Sequence, residues 1–179
     1  MEYVLQTNVL CKKYQKFTAL DNLTMHIPKG AIYGFIGKNG AGKTTLIRLL
    51  CGLQQPTSGE LSLYGTLHSQ PQIQNARKRI GAVVETPSIY LDMTAEENLR
   101  QQFQILGLPS YREIPNLLQL VGLQDTGKKK AKHFSLGMRQ RLGIAIALCG
   151  NPDFLILDEP VNGLDPQGII EIRELLLKL

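Results

Sequence analysis

The chain has 179 residues, 43% of them hydrophobic and 20% charged, with 17 glycines and a formal net charge of +5. That length carries one domain of ordinary size with a buried core, and the composition excludes collagen, a disulfide scaffold and a disordered tail. No run approaches the roughly 20 apolar residues that span a bilayer, and the N-terminus lacks a signal-peptide pattern, so a soluble chain facing the cytosol is expected.

In chain order, Leu20, Leu23, Met25 and Ile27 alternate as one half-buried strand, closed by a turn at Pro28-Lys29-Gly30. Residues 31–36 (AIYGFI) read as a short, fully buried strand running into a glycine-rich loop at 37–44. A helix is predicted over 45–53, ended by 54–59, then a strand over 60–64, a helix within 70–79 and a strand over 80–84. From about residue 86 the pattern turns helical, with a capping box at Thr94 and Glu97 and breaks at Pro109, Pro115 and Gly122. Residues 154–158 return as a buried strand and 167–178 as a helix. Strand, helical insertion, strand indicates an α/β sheet core with a helical subdomain between two of its strands. Cys11, Cys51 and Cys149 are far apart and odd in number, which fits reduced, mostly buried thiols. The cluster of Lys128, Lys129, Lys130 and Lys132 has no interleaved aromatics and reads as a solvated loop, so no nucleic-acid partner is expected.

Three motifs carry chemistry. Gly37-Lys38-Asn39-Gly40-Ala41-Gly42-Lys43-Thr44 matches G-x-x-x-x-G-K-[ST]. Its glycines let the backbone wrap a polyphosphate so that N–H groups point at the oxygens. Lys43 then reaches the β- and γ-phosphates, and the Thr44 hydroxyl can ligate Mg²⁺. These eight residues and Thr45 are the candidate nucleotide contacts. Asp158, at the end of an apolar strand, is placed to hold Mg²⁺ beside Thr44, and Glu159 to polarise a water for attack on the γ-phosphate. Asp-Glu-Pro also suits a simple turn; the phosphate loop favours the chemical reading. Ser135 caps a helix that Leu142, Ile144, Ala145 and Leu148 continue. That start presents N–H groups to an anion, and it equally suits an ordinary capped helix.

Phosphate loop, Ser-x-Gly helix, Asp-Glu strand and then Gly163-Leu164-Asp165, in that order, resemble the ATP-binding subunits of ABC transporters, over essentially the whole chain. The resemblance implies a P-loop NTPase (RecA-like) α/β core with N-terminal antiparallel β strands and an inserted α-helical subdomain. Residues 1–85 and 151–179 would form the core and 86–150 the helical part of one ATP-binding domain. It further implies that 37–44 is the Walker A loop, 155–159 the Walker B strand with catalytic Glu159 acting beside Lys43, 134–138 the signature and 162–165 the D-loop. Tyr14 sits where the family stacks an aromatic on adenine; a strand-edge tyrosine is the plainer reading. Because the family's signature faces the phosphate loop of a second subunit, Ser135 and Gly137 would touch ATP in a head-to-tail homodimer. A transmembrane permease would be the partner, at the cytoplasmic side of the cell membrane.

Three features depart from the family pattern. Leu136 and Met138 stand where it usually has Gly and Gln. Glu85 replaces a Gln that touches Mg²⁺ and the membrane partner, which makes Glu85 both a nucleotide-site and a metal candidate. A Ser-Leu-Gly-Met signature with Glu in that place resembles the subgroup that exports bacitracin and lantibiotic-type peptides and confers self-protection. ATP-driven export of an antimicrobial peptide or drug is therefore the expected function. The family's switch His lies well beyond Walker B, whereas His26, His68 and His133 all precede it, so a C-terminally truncated domain is expected. The alternatives are a soluble ABC ATPase not coupled to transport and a nucleotide-binding fragment without hydrolysis.

Overall fold

The computed structural model describes residues 2–179, which divide into two compact units, one ending at Ile80 and the other running from Gly81 to Leu179. The first unit contains β1 (Tyr3–Tyr14), β2 (Phe17–Pro28), α1 (Lys43–Leu50), β3 (Ser58–Leu63), β4 (Thr66–Leu67) and α2 (Ile73–Arg77). Its strands form one antiparallel sheet in the order β2-β1-β3-β4. The register sets Leu5 against Ile27 on one side and Leu63 on the other, and all three are buried. Thr7 is buried among them because its hydroxyl donates to Leu23 O and accepts from Met25 N–H, which meets the demand of a polar group in the core. Leu46, Leu49 and Leu50 of α1 are spaced three and four apart, so they share one buried stripe. The last carbonyls of α1 receive the Arg77 guanidinium, whose Nε donates to Leu50 O at 3.2 Å. Burial pushes the neighbouring Cys51 thiol up, with Arg77 acting against it.

Two sequence expectations fail in this unit. Residues 31–36 form no strand, and Ile32 is 86% and Ile36 95% exposed. A short apolar run carries the demand for burial but not the identity of its partner. Here β1 is paired on both edges, by β2 and β3, and no strand of the unit takes 31–36 as a neighbour. The helix after the loop begins at Lys43 and ends at Leu50, rather than running over 45–53.

The second unit is built on β5 (Ile80–Val83) and β6 (Phe154–Leu157), which pair as a two-stranded sheet. Between them lie α3 (Ala95–Ile105), α4 (Ile114–Leu120) and α5 (Leu136–Leu148), with short 3₁₀ turns at Gln124–Thr126 and Ala131–His133. After β6 comes α6 (Pro166–Leu176). Leu99, Phe103, Val121, Leu123, Leu142, Ile144 and Ile172 form one core. Both bonds of the capping box at α3 are present: Glu97 N–H donates to Thr94 Oγ1, and Thr94 N–H to Glu97 Oε2. Asn98 is 2% exposed yet fully used, accepting from Tyr90 N–H and donating to the Tyr90 and Thr94 carbonyls. Pro115 does not break the helical run; it sits in the first turn of α4, where a missing N–H costs nothing. β6 is half-buried rather than buried, with Ile156 and the following Asp158 its enclosed residues. Cys11 and Cys149 are buried, Cys51 half-buried, and all three are free thiols; burial pushes Cys149 up to about 12.

Candidate nucleotide site

The phosphate loop belongs to the first unit. Residues 37–41 are exposed ahead of α1, and Ala41 N–H donates to Lys38 O at 3.0 Å, which closes a tight turn containing Asn39 and Gly40. Lys43 folds back over that turn: its Nζ donates to Gly37 O at 2.9 Å and Lys38 O at 3.3 Å. The ammonium thus stands over the backbone that would wrap a polyphosphate. Gly42 is the N-cap of α1, at φ 89°, and α1 has no side-chain cap and no acid in its first turn. A Cβ on Gly42 would lie 2.2 Å from Ala19 O, so β2 leaves room for glycine there and nothing larger. Thr44 and Thr45, both half-buried, occupy the first turn of α1 at the positive end of its dipole.

Tyr14 ends β1 in the same unit and is 38% exposed. Its hydroxyl donates to Gln54 Oε1, and Lys12 Nζ lies 5.2 Å from its ring centroid. Sequence reasoning missed Gln54, since its contact with Tyr14 spans 40 residues and no local pattern announces it.

The carboxylates and the signature belong to the second unit. Asp158 follows β6, is 5% exposed, and donates its N–H to Val83 O at 2.9 Å. Glu85 follows β5 as an exposed residue at φ 61°. Glu85, Asp158 and Glu159 are therefore brought together where two neighbouring strands end. Glu159 is exposed at φ 47°; Asn162 donates its backbone N–H to Glu159 O at 3.0 Å and its amide to Glu159 Oε2 at 3.3 Å. That turn aims the Glu159 carboxylate, a role of Asn162 that its assignment to the D-loop did not include. Its signal was an amide three places after an acid in a glycine turn.

Ser135 caps α5 as expected, accepting from Met138 N–H at 3.2 Å, with Gly137 in the first turn. Leu136 is 50% exposed and packs toward Gly163, where a Cβ would lie 3.1 Å from it. Asp165 then caps α6 through Gly168 N–H at 2.9 Å. Of the expected metal donors, the Thr44 hydroxyl lies in the first unit and the Asp158 and Glu85 carboxylates lie in the second. Hard oxygen donors of this kind fit Mg²⁺, which keeps several waters and shares its remaining positions with substrate phosphates. Among the described residues no helix is long and apolar enough to cross a membrane.

Residues 20–162 match the family described as ABC transporter. The chain is 47% identical over 179 residues to the bacitracin transport ATP-binding protein BcrA of Bacillus licheniformis, covering 100% of this chain and 58% of that protein. It is 44% identical over 173 residues to the lantibiotic transport ATP-binding protein SrtF of Streptococcus pyogenes, covering 97% and 73% respectively. It therefore spans little more than half the length of BcrA. Among solved structures it resembles cbiO1 from Clostridium perfringens, part of the ABC transporter complex cbiONQ, with TM-score 0.85 and 30% identity over 99% of this chain and 74% of that one. It also resembles a dimeric ATP-binding cassette in a post-hydrolysis state bound to ADP and Pi, with TM-score 0.85 and 25% identity over 98% and 82%.

Proposed function

The chain belongs to the ABC transporter family, and on that premise we propose that its protein binds and hydrolyses ATP to drive export of an antimicrobial peptide or drug. The observation that carries the ATP reading is the Lys43 ammonium, held by the Gly37 and Lys38 carbonyls over a glycine loop that opens a helix. The similarity to BcrA and SrtF supports the peptide class.

In this reading the N–H groups of Gly37, Lys38, Asn39, Gly40, Ala41, Gly42, Lys43, Thr44 and Thr45 cradle the phosphates. Lys43 exchanges its carbonyl contacts for β- and γ-phosphate oxygens, and Tyr14 stacks on the base. Glu159 accepts a hydrogen bond from the attacking water and takes its proton as the oxygen joins the γ-phosphorus and ADP leaves. Thr44, Asp158 and Glu85 are the residues that would hold Mg²⁺, which when bound offsets charge on the β- and γ-oxygens. Ser135 and Gly137 serve a second copy in a head-to-tail homodimer; the dimeric cassette with ADP and Pi supports that pairing. The partner is a transmembrane permease, with the chain peripheral at the cytoplasmic side of the cell membrane. Within it, residues 1–85 and 151–179 act as the ATP-binding core and 86–150 as the signature subdomain.

Replacing Glu159 tests the reading. In the native protein Glu159→Gln keeps nucleotide affinity and loses turnover by roughly 10²–10⁴-fold, the range of a general base. Phosphate release near the wild-type rate would place the base elsewhere.

A further inference from the structure

Leu136 opens α5 directly after its Ser135 cap with half of its surface exposed, a poor place for a large apolar side chain. What it covers accounts for it. A Cβ on Gly163 would lie 3.1 Å from Leu136 Cδ2, so the leucine methyl rests on the face of Gly163 that a side chain would occupy. One residue further along each segment, Leu164 Cδ2 would lie 3.8 Å from a Cβ on Gly137, and Leu164 packs against the core of the unit. The start of α5 thus meets the turn after β6 through two leucines, one from each side.

That turn is wound by two successive hydrogen bonds, Asn162 N–H to Glu159 O at 3.0 Å and Leu164 N–H to Val161 O at 3.2 Å. Gly163, at φ 73°, is its freest link, and Val161, Asn162 and Gly163 are all exposed. Asn162, immediately before that link, gives its amide to Glu159 Oε2 at 3.3 Å. A methyl packed on Gly163 therefore narrows the conformations open to the backbone that carries Asn162.

We propose that Leu136 is a positioning residue for hydrolysis: by resting on Gly163 it holds the 159–165 turn in the form in which Asn162 grips the Glu159 carboxylate. The proposal rests on the reading of Glu159 as the base. The glycine that the family usually has in place of Leu136 would have no side chain to lay there. A general base acts only within hydrogen-bond reach of its water, so loosening its support lowers rate and spares affinity.

Steady-state hydrolysis and equilibrium ATP binding by the native protein separate those two quantities. Leu136→Ala lowers kcat about fivefold and leaves KM and ATP affinity within about twofold, because the phosphate loop is untouched. Leu136→Met, which keeps a long apolar chain over Gly163, retains most of the rate. Asn162→Ala lowers kcat by about fivefold or more, and the double variant is no slower than Asn162→Ala alone, since both changes release one carboxylate. Multiplication of the two losses would show that Leu136 acts elsewhere and overturn the proposal, as would an unchanged kcat for Leu136→Ala. Weaker ATP-driven pairing of copies on gel filtration, with turnover per dimer intact, would assign Leu136 to an interface and overturn it too. Glu159→Gln separates the two layers. If it hydrolyses ATP near the wild-type rate, the reading of Glu159 fails and the proposal with it; if it is inactive while Leu136→Ala turns over normally, only the role of Leu136 fails.

Discussion

The helices α1 and α5 begin in opposite ways. At α1 the N-cap is Gly42, left-handed at φ 89°, with no side chain to accept from the first turn. At α5 it is Ser135, extended at φ −62° and ψ 165°, whose hydroxyl accepts from Met138 N–H. Thr94 and Asp165 open α3 and α6 in the second manner. A side-chain cap is worth about 1 kcal/mol to a helix. At α1 a capping oxygen would stand where a phosphate oxygen is to go, so the glycine there leaves the first N–H groups open to the ligand. The glycine at α1 is thus part of a binding surface, and the serine at α5 first of all part of a helix.

The largest expected effect lies at the uncapped start. Gly42→Ala forces a Cβ to 2.2 Å from Ala19 O and keeps an unfavourable φ, and together these should cost more than about 3 kcal/mol. Urea unfolding checks it, and an unchanged midpoint would mean that β2 has room to retreat. At the capped start the change is smaller. Ser135→Ala should destabilise by about 1 kcal/mol and Ser135→Gly by a few tenths, with the loss in amide protection concentrated in α5. If Ser135→Ala cost as much as Gly42→Ala, the contrast between the two helix starts would collapse.

The smallest effect sharpens the comparison among the capped helices. Donation from the Thr94 backbone N–H holds the Glu97 carboxyl below its ordinary 4.5. A lowered folded value means that the stabilisation is fully present above the ordinary value and is lost as pH falls through the lowered one. Stability from the α3 box therefore fades on the acid side, and Glu97→Gln should remove that part of the pH dependence while preserving the reach back to Thr94. The hydroxyl cap of α5 does not titrate in this range and should show no such loss. Thermal melts between pH 3 and 7, roughly spanning the carboxylate range, would detect the difference.

How much of this was legible depended on distance along the chain. The caps at Thr94 and Ser135, the glycine loop and the acids after β6 are local patterns, each set by neighbours within a few residues, and they stand where the sequence placed them. What escaped was pairing. The apolar run at 31–36 signals a strand but not a partner, and the grip of Gln54 on Tyr14 depends on how β1 and β3 bring two loops side by side. The hold of Asn162 on Glu159 escaped differently, because a turn amide looks alike whether it points at a carboxylate or at water. Pro115 was misread because proline breaks a helix interior yet suits its first turn, and the sequence alone did not show which it occupied.

The exposed stretch at 31–36 has a consequence for the protein in a test tube. Ala-Ile-Tyr-Gly-Phe-Ile contains no charge and no proline, and it is rich in side chains that interlock between stacked strands. Such a segment left uncovered is a seed for fibrils and clumps. Its guards are Lys29 and Lys38, one on either side, acting as charged gatekeepers. Lys29 shares its charge with Glu2 at 3.7 Å, so Lys38 carries more of that duty. The same lysine that begins the phosphate turn thus also keeps copies of the chain apart, and neutralising it should lower the concentration at which solutions turn cloudy.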